Sequence, residues 1–80
     1  MTRIDLYDQA GNYYHGTLKD DGKIALYDPQ SNYWFGTLKD DSKLAVYDHK
    51  GNYYHGRVDD GAKVSLYGPD GAYYHGKLRA

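Results

Sequence analysis

Gly11-Asn12-Tyr13-Tyr14-His15-Gly16-Thr17-Leu18-Lys19-Asp20-Asp21-Gly22-Lys23 is the stretch on which the fold turns. It returns with changes from Ser31, from Gly51 and from Gly71, so it belongs to a repeating unit. The period is 20 residues without gaps, and Arg3, Lys23, Lys43 and Lys63 open the copies. The repeats span 3–22, 23–42, 43–62 and 63–80 of one small domain, residues 1–80. Their consensus is close to K-[IVL]-x-[LV]-Y-D-x-x-G-N-Y-Y-H-G-x-[LV]-x-D-D-G. Such self-similarity marks a repeat architecture in which each unit is one supersecondary element. The even framing suits a piece of a longer array or an engineered repeat as well as a complete natural chain.

Each copy holds two alternating segments, shown in the second by Lys23–Asp28 and by Asn32–Lys39. Apolar and polar residues alternate in both, which is the period of a half-buried strand. The turns between them can be typed. In Asp28-Pro29-Gln30-Ser31, Asp and Pro take the first two places of a type I turn. Gly11, Gly51 and Gly71 stand where the other copies place a left-handed residue, making a three-residue hairpin loop with a bulge. Lys19-Asp20-Asp21-Gly22-Lys23 has the same form.

These turns set the register. Asp8 faces Asn12, Tyr7 faces Tyr13, Leu6 faces Tyr14, Asp5 faces His15 and Ile4 faces Gly16. Across the next turn Leu18 faces Ile24 and Gly16 faces Leu26. One face then collects the twelve Ile, Leu and Val residues together with Tyr14 and Gly16 and their equivalents. A slip of one residue would mix the faces, so the aliphatic pattern defends the register. The expected fold is all-β: an eight-stranded antiparallel meander of four β-hairpin repeats. Its aliphatic face must be covered, either by curling into a small barrel or by pairing an open sheet with another copy. Closure is preferred because it removes exposed edges, and eight strands is a size that side chains just fill. Gly16, Gly36, Gly56 and Gly76 would ease the bending.

Copy two departs from the others. Trp34 and Phe35 replace tyrosine and histidine, and Ser31 and Ser42 stand where glycine would take positive φ. That conformation costs a residue with a Cβ roughly 1–2 kcal/mol. In copy three the glycine comes one place early, at Gly61, leaving Ala62 either strained or beside a different turn.

Composition limits the function. Eleven of the eighty residues are tyrosine, ten are glycine and all eleven acids are Asp, a strand-and-turn mixture. The net charge of −1 gives no strong field toward nucleic acid, which is not an expected partner. Without cysteine there is no disulfide framework and no thiolate metal site. No apolar run reaches the ~20 residues of a membrane helix, so the chain is expected to be soluble, with no membrane partner.

Three histidines, His15, His55 and His75, hold equivalent positions, but equivalent strands stand roughly 10 Å apart at ~4.8 Å per strand, too far to share one zinc ion. His49 falls in a turn, in solvent. The aspartates Asp20-Asp21, Asp40-Asp41 and Asp59-Asp60 gather at one end of the sheet, with Asp8, Asp28 and Asp48 at the other. None matches a calcium loop, and Asp is a good turn former. No metal and no cofactor is expected. Asp5 opposite His15 could orient a general base, but the pair is not repeated: Ala25–Phe35, Ala45–His55 and Ser65–His75 replace it. An enzyme is not expected.

The remaining candidate is the aromatic face. Tyr7, Tyr27, Tyr47 and Tyr67 form one row, and Tyr13, Tyr33, Tyr53 and Tyr73 form a second, interleaved with His15, His55 and His75. Cross-strand pairing of these rings is itself a reason for them to be there, at ~0.2–1 kcal/mol per pair. A ladder of tyrosines flanked by Lys23, Lys43, Arg57, Lys63 and Lys77 would also stack on a glycan or a protein partner. The alternative is a purely structural module, self-associating as a homo-oligomer or engineered as a repeat scaffold, with no ligand.

Two hairpin-repeat families are similar over short motifs. Tyr14-His15-Gly16-Thr17-Leu18-Lys19-Asp20-Asp21-Gly22-Lys23 resembles the first half of a MORN repeat, Y-x-G-x-W-x-x-G-K, with Leu18 in place of Trp and a turn one residue longer. Tyr7-Asp8-Gln9-Ala10-Gly11-Asn12 resembles the YD-x-x-G core of Rhs-type YD repeats, found in large shells and surface proteins of bacteria. Both resemblances imply a hairpin repeat used as scaffold or binding surface, and neither supplies a ligand or a catalytic residue.

Overall fold

The computed structural model describes residues 2–40, 42–60 and 62–79. Eight strands follow one another: β1 (Thr2–Tyr7), β2 (Tyr13–Leu18), β3 (Lys23–Tyr27), β4 (Tyr33–Lys39), β5 (Lys43–Tyr47), β6 (Tyr53–Asp59), β7 (Lys63–Tyr67) and β8 (Tyr73–Arg79). Each pairs antiparallel with the next, and β8 returns to pair with β1, so the meander is a closed barrel. The expected register holds: Ile4 faces Gly16, Asp5 faces His15 and Tyr7 faces Tyr13 in the first hairpin, and Leu18 faces Ile24 across the next turn. The open sheet that dimerises through its aliphatic face is therefore corrected. Closure covers that face within one chain.

Inside, the side chains form tiers. Leu18, Leu38, Val58 and Leu78 lie at the end carrying the Asp-rich loops, followed by two tiers from the odd-numbered strands, Ile4, Ile24, Leu44 and Val64, then Leu6, Leu26, Val46 and Leu66. Tyr14, Trp34, Tyr54 and Tyr74 fill the opposite end, with Trp34 against Tyr54 at 4.7 Å and Tyr14 edge-on to Tyr74 at 5.2 Å. The free space among the central aliphatics is about 10 Å³, too small for a ligand. The barrel is a packed core, and anything it binds must meet its outside.

The bending has a local cause. A Cβ on Gly16 would stand 1.8 Å from the Ala25 carbonyl oxygen, and one on Gly76 1.7 Å from that of Asp5. Gly36 and Gly56 meet Ala45 and Ser65 in the same way. The even-numbered strands press backbone on backbone here, which no side chain permits.

The turns hold two differences from expectation. Ser31 takes the left-handed conformation at φ 67°, as its position requires. Ser42 and Ala62 do not. Among the described residues of those loops the left-handed one is the first, Asp40 or Asp60, each at φ 53°. In copy one Gly22 takes φ 90°, and a Cβ on it would stand 2.8 Å from the Leu38 carbonyl oxygen. Ser42 and Ala62 carry that Cβ, so the turn hands the positive φ to an aspartate, which tolerates it better than most residues. The expectation for Ser42 is thus corrected, while Asp41 and Gly61 lie outside the described residues. Copy four also differs, because Gly68 replaces the turn aspartate: Pro69–Gly71 forms a short 3-10 turn with Asp70 at φ 60°.

Candidate functional site: an aromatic belt

Alternation along the strands puts Tyr7 and its equivalents on the outside of the odd-numbered strands. On the even-numbered strands it puts Tyr13 and His15 and their equivalents outside. Each odd-strand tyrosine lies opposite a tyrosine on one neighbour and a histidine or Phe35 on the other. Because β1 meets β8, the series has no end. From Tyr7 the rings run Tyr13, His15, Tyr27, Tyr33 and Phe35, with centroids 5.3–6.2 Å apart. They continue through Tyr47, Tyr53, His55, Tyr67, Tyr73 and His75 at 5.1–6.1 Å. His75 then meets Tyr7 at 6.3 Å and closes the ring.

Every tyrosine and histidine expected on this face is in the belt. Seven of the tyrosines are 38–49% exposed, and Tyr73 is half-buried. Phe35, 49% exposed, completes the circle, and the expected site omitted it. Its signal was present, since Phe35 occupies the histidine position of copy two. The histidines are separated by tyrosines, and among the described residues no three His or Asp side chains converge as a metal site would require.

Asp5 is engaged by groups other than His15. It lies opposite His15 in the register, but its carboxylate accepts from the Tyr13 hydroxyl and pairs with Arg79 Nε at 2.9 Å. The hydrogen bond to Asp5, with burial and the carboxylate charge added, pushes the Tyr13 phenol above its ordinary pKa. The acid serves the β1–β8 seam and does not orient a histidine base.

Beside the belt the outer surface is not fourfold. Arg3, Lys23, Lys43 and Lys63 head the odd-numbered strands, and the residues facing them on the following strand are Thr17, Thr37, Arg57 and Lys77. Half the barrel is neutral at that position and half is cationic. Two shallow grooves lie on the cationic half. One, of about 290 Å³, is lined by Ser42, Lys43, His55, Gly56, Arg57 and Tyr67. The other, of about 320 Å³, is lined by Asp5, Tyr7, His75, Gly76, Lys77 and Arg79.

The inner aromatics have their own polar anchors. The Tyr54 hydroxyl donates to Asp48 at 2.9 Å and the Tyr14 hydroxyl to Asp8 at 3.1 Å. Burial, with these carboxylates nearby, pushes both phenols well above their ordinary pKa. Burial acts to raise the pKa of Asp8, Asp28 and Asp48, but hydrogen bonds from Asn12, Asn32 and Asn52 and the turn amides outweigh it and hold all three below 3.8. These aspartates are turn anchors with every oxygen engaged.

Compared with known proteins, the chain matches no family model, and no curated protein matches its sequence. Among the described residues no helix is long and apolar enough to cross a membrane.

Proposed function

We propose that this protein is a non-catalytic binding module whose outer aromatic belt takes a glycan. The observation that carries the reading is the closed belt, with eight large aromatic side chains 38–49% exposed on a barrel of 27 × 20 × 20 Å. Contiguous apolar surface on a small protein marks a contact site. Tyrosine suits one that is half wet, offering a rigid ring face and a hydroxyl. A sugar ring presents an apolar face to stack and hydroxyls to share hydrogen bonds, so a shallow convex surface serves it without a deep cleft. A protein ligand is the broader form of the same reading. The short motifs shared with MORN and YD repeats agree with a surface role.

A purely structural belt is the second reading, favoured by the fact that each ring already touches two others. The two separate on substitution. Tyr33→Ser and Tyr53→Ser remove two of the most exposed rings. As a binding face they lower affinity for a hexasaccharide by about tenfold each, while stability falls by only about 1–2 kcal/mol from lost ring pairs. The measurement is a titration of neutral oligosaccharides followed by tyrosine NMR shifts, beside denaturant melts of each variant. Loss of stability with no sugar response from the parent protein contradicts the binding role and leaves the structural one.

A further inference from the structure

We propose that the belt's cationic flank, from β5 through β8 to β1, is a site for an anionic glycan carrying sulfate or uronate groups. The inference rests on the reading of the belt as a glycan face and names the class of glycan. It comes from two cross-strand pairs: Lys43 lies directly opposite Arg57 and Lys63 opposite Lys77. Like charges directly opposite in a sheet destabilise it. The fold does not require them, because Thr17 and Thr37 fill the places of Arg57 and Lys77 in the other half.

Neighbouring acids relieve only part of the repulsion. Asp5 takes Arg79 at 2.9 Å and Arg3 at 3.9 Å and lies opposite Lys77, and Asp59 takes Arg57 at 3.3 Å and lies opposite Lys63. Lys43, Lys63 and Lys77 have no acid partner within 4.0 Å among the described residues. At the position of Thr17 and Thr37 the like-charge pair occurs only in copies three and four, and an anion received by that half explains it.

The cations also sit where a sugar would reach them. Each groove is lined by belt rings and cations together: His55 and Tyr67 with Lys43 and Arg57, and Tyr7 and His75 with Lys77 and Arg79. A pyranose stacked on the belt would direct its sulfate or carboxylate toward the cations. Duplex nucleic acid fits less well. Its charge, one per ~1.7 Å, needs a dense basic track, whereas this chain carries a net −1 and exposes Asp59 and Asp60 beside the patch.

The test titrates three probes at about 150 mM salt: a heparin hexasaccharide, the uncharged hexasaccharide maltohexaose, and the single strand dT10. We expect the sulfated sugar to bind about tenfold or more tighter than the uncharged one. The double variant R57T/K77T, which copies the protein's own neutral half, should lose about that tenfold and change binding of the uncharged sugar far less. Its melting midpoint should stay level or rise, because two like-charge pairs are gone. The reverse change, T17R/T37K, should strengthen sulfated-sugar binding. If both sugars bind equally, the anionic inference falls while the belt reading stands. If neither binds, both fall. If dT10 binds more tightly than the sulfated sugar and loses affinity in R57T/K77T, the ligand class is nucleic acid and the inference is overturned. A lower midpoint for the double variant contradicts the claim that the pairs cost stability.

Discussion

Single residues decide which turn each hairpin makes. Ser31 holds φ 67° with a Cβ, whereas Ser42 has passed its positive φ to Asp40. Ser31→Gly should therefore raise stability by about 1 kcal/mol, or roughly 4–8 °C in melting temperature, and Ser42→Gly should give no comparable gain. Equal gains at both sites would contradict the turn geometry. The sequence showed that both serines replace glycine, but not that the second turn has another solution, because the choice depends on how closely the next strand approaches the loop, as the Leu38 oxygen approaches Gly22 in copy one. Asp48 is the other residue-scale test. It accepts from the Lys50 and Asn52 amides, the Asn52 side chain and the Tyr54 hydroxyl. Asp48→Ala should cost about 2 kcal/mol at neutral pH. The folded-state pKa of Asp48 lies below the unfolded value, so its contribution is complete above about pH 4 and is lost as pH falls through the lower folded value. The gap between Asp48→Ala and the parent in urea melts should narrow below about pH 4. A gap that stays constant to pH 2 would show that the carboxylate charge is not what the turn uses.

At the scale of the element, alternation made each hairpin legible. Tyr13 and His15 outside with Tyr14 and Leu18 inside could be read from period two alone, and register followed because only one pairing keeps the aliphatics together. The strand ends were less legible. Asp28 and Asn32 fall outside the strands, and their backbones stay joined at 3.1 Å while Asp28 turns its carboxylate to the loop amides. The role of Gly56 was only half visible: room for neighbours was expected, whereas the tighter limit is its approach to the Ser65 carbonyl, 1.8 Å from where a Cβ would sit. Gly56→Ala should cost more than about 3 kcal/mol, since backbone on both sides leaves nothing to yield. A loss under about 1 kcal/mol, the ordinary exchange at an accommodating strand site, would refute that close approach.

At the scale of the whole molecule, the difference between a barrel and an open sheet was not in the residue pattern. Both bury the same twelve aliphatics and use the same hairpins. What decides it is accumulated bend, from four glycine crossings and the seam where Arg79 reaches Asp5. Closure also makes a belt out of two tyrosine rows, since Tyr7 and His75 are 68 residues apart in the chain and adjacent in space. The same closure leaves the aromatic and cationic exterior as the surface on which the proposed binding would occur. It is tested by amide hydrogen exchange and ring-to-ring NMR contacts on a sample whose mass is measured at low micromolar concentration. A closed barrel predicts a monomer in which amides of β1 and β8 are as protected as those of β4 and β5, with a direct contact between the Tyr7 and His75 rings. Rapid exchange along β1 and β8 in a dimer, without that contact, would contradict it.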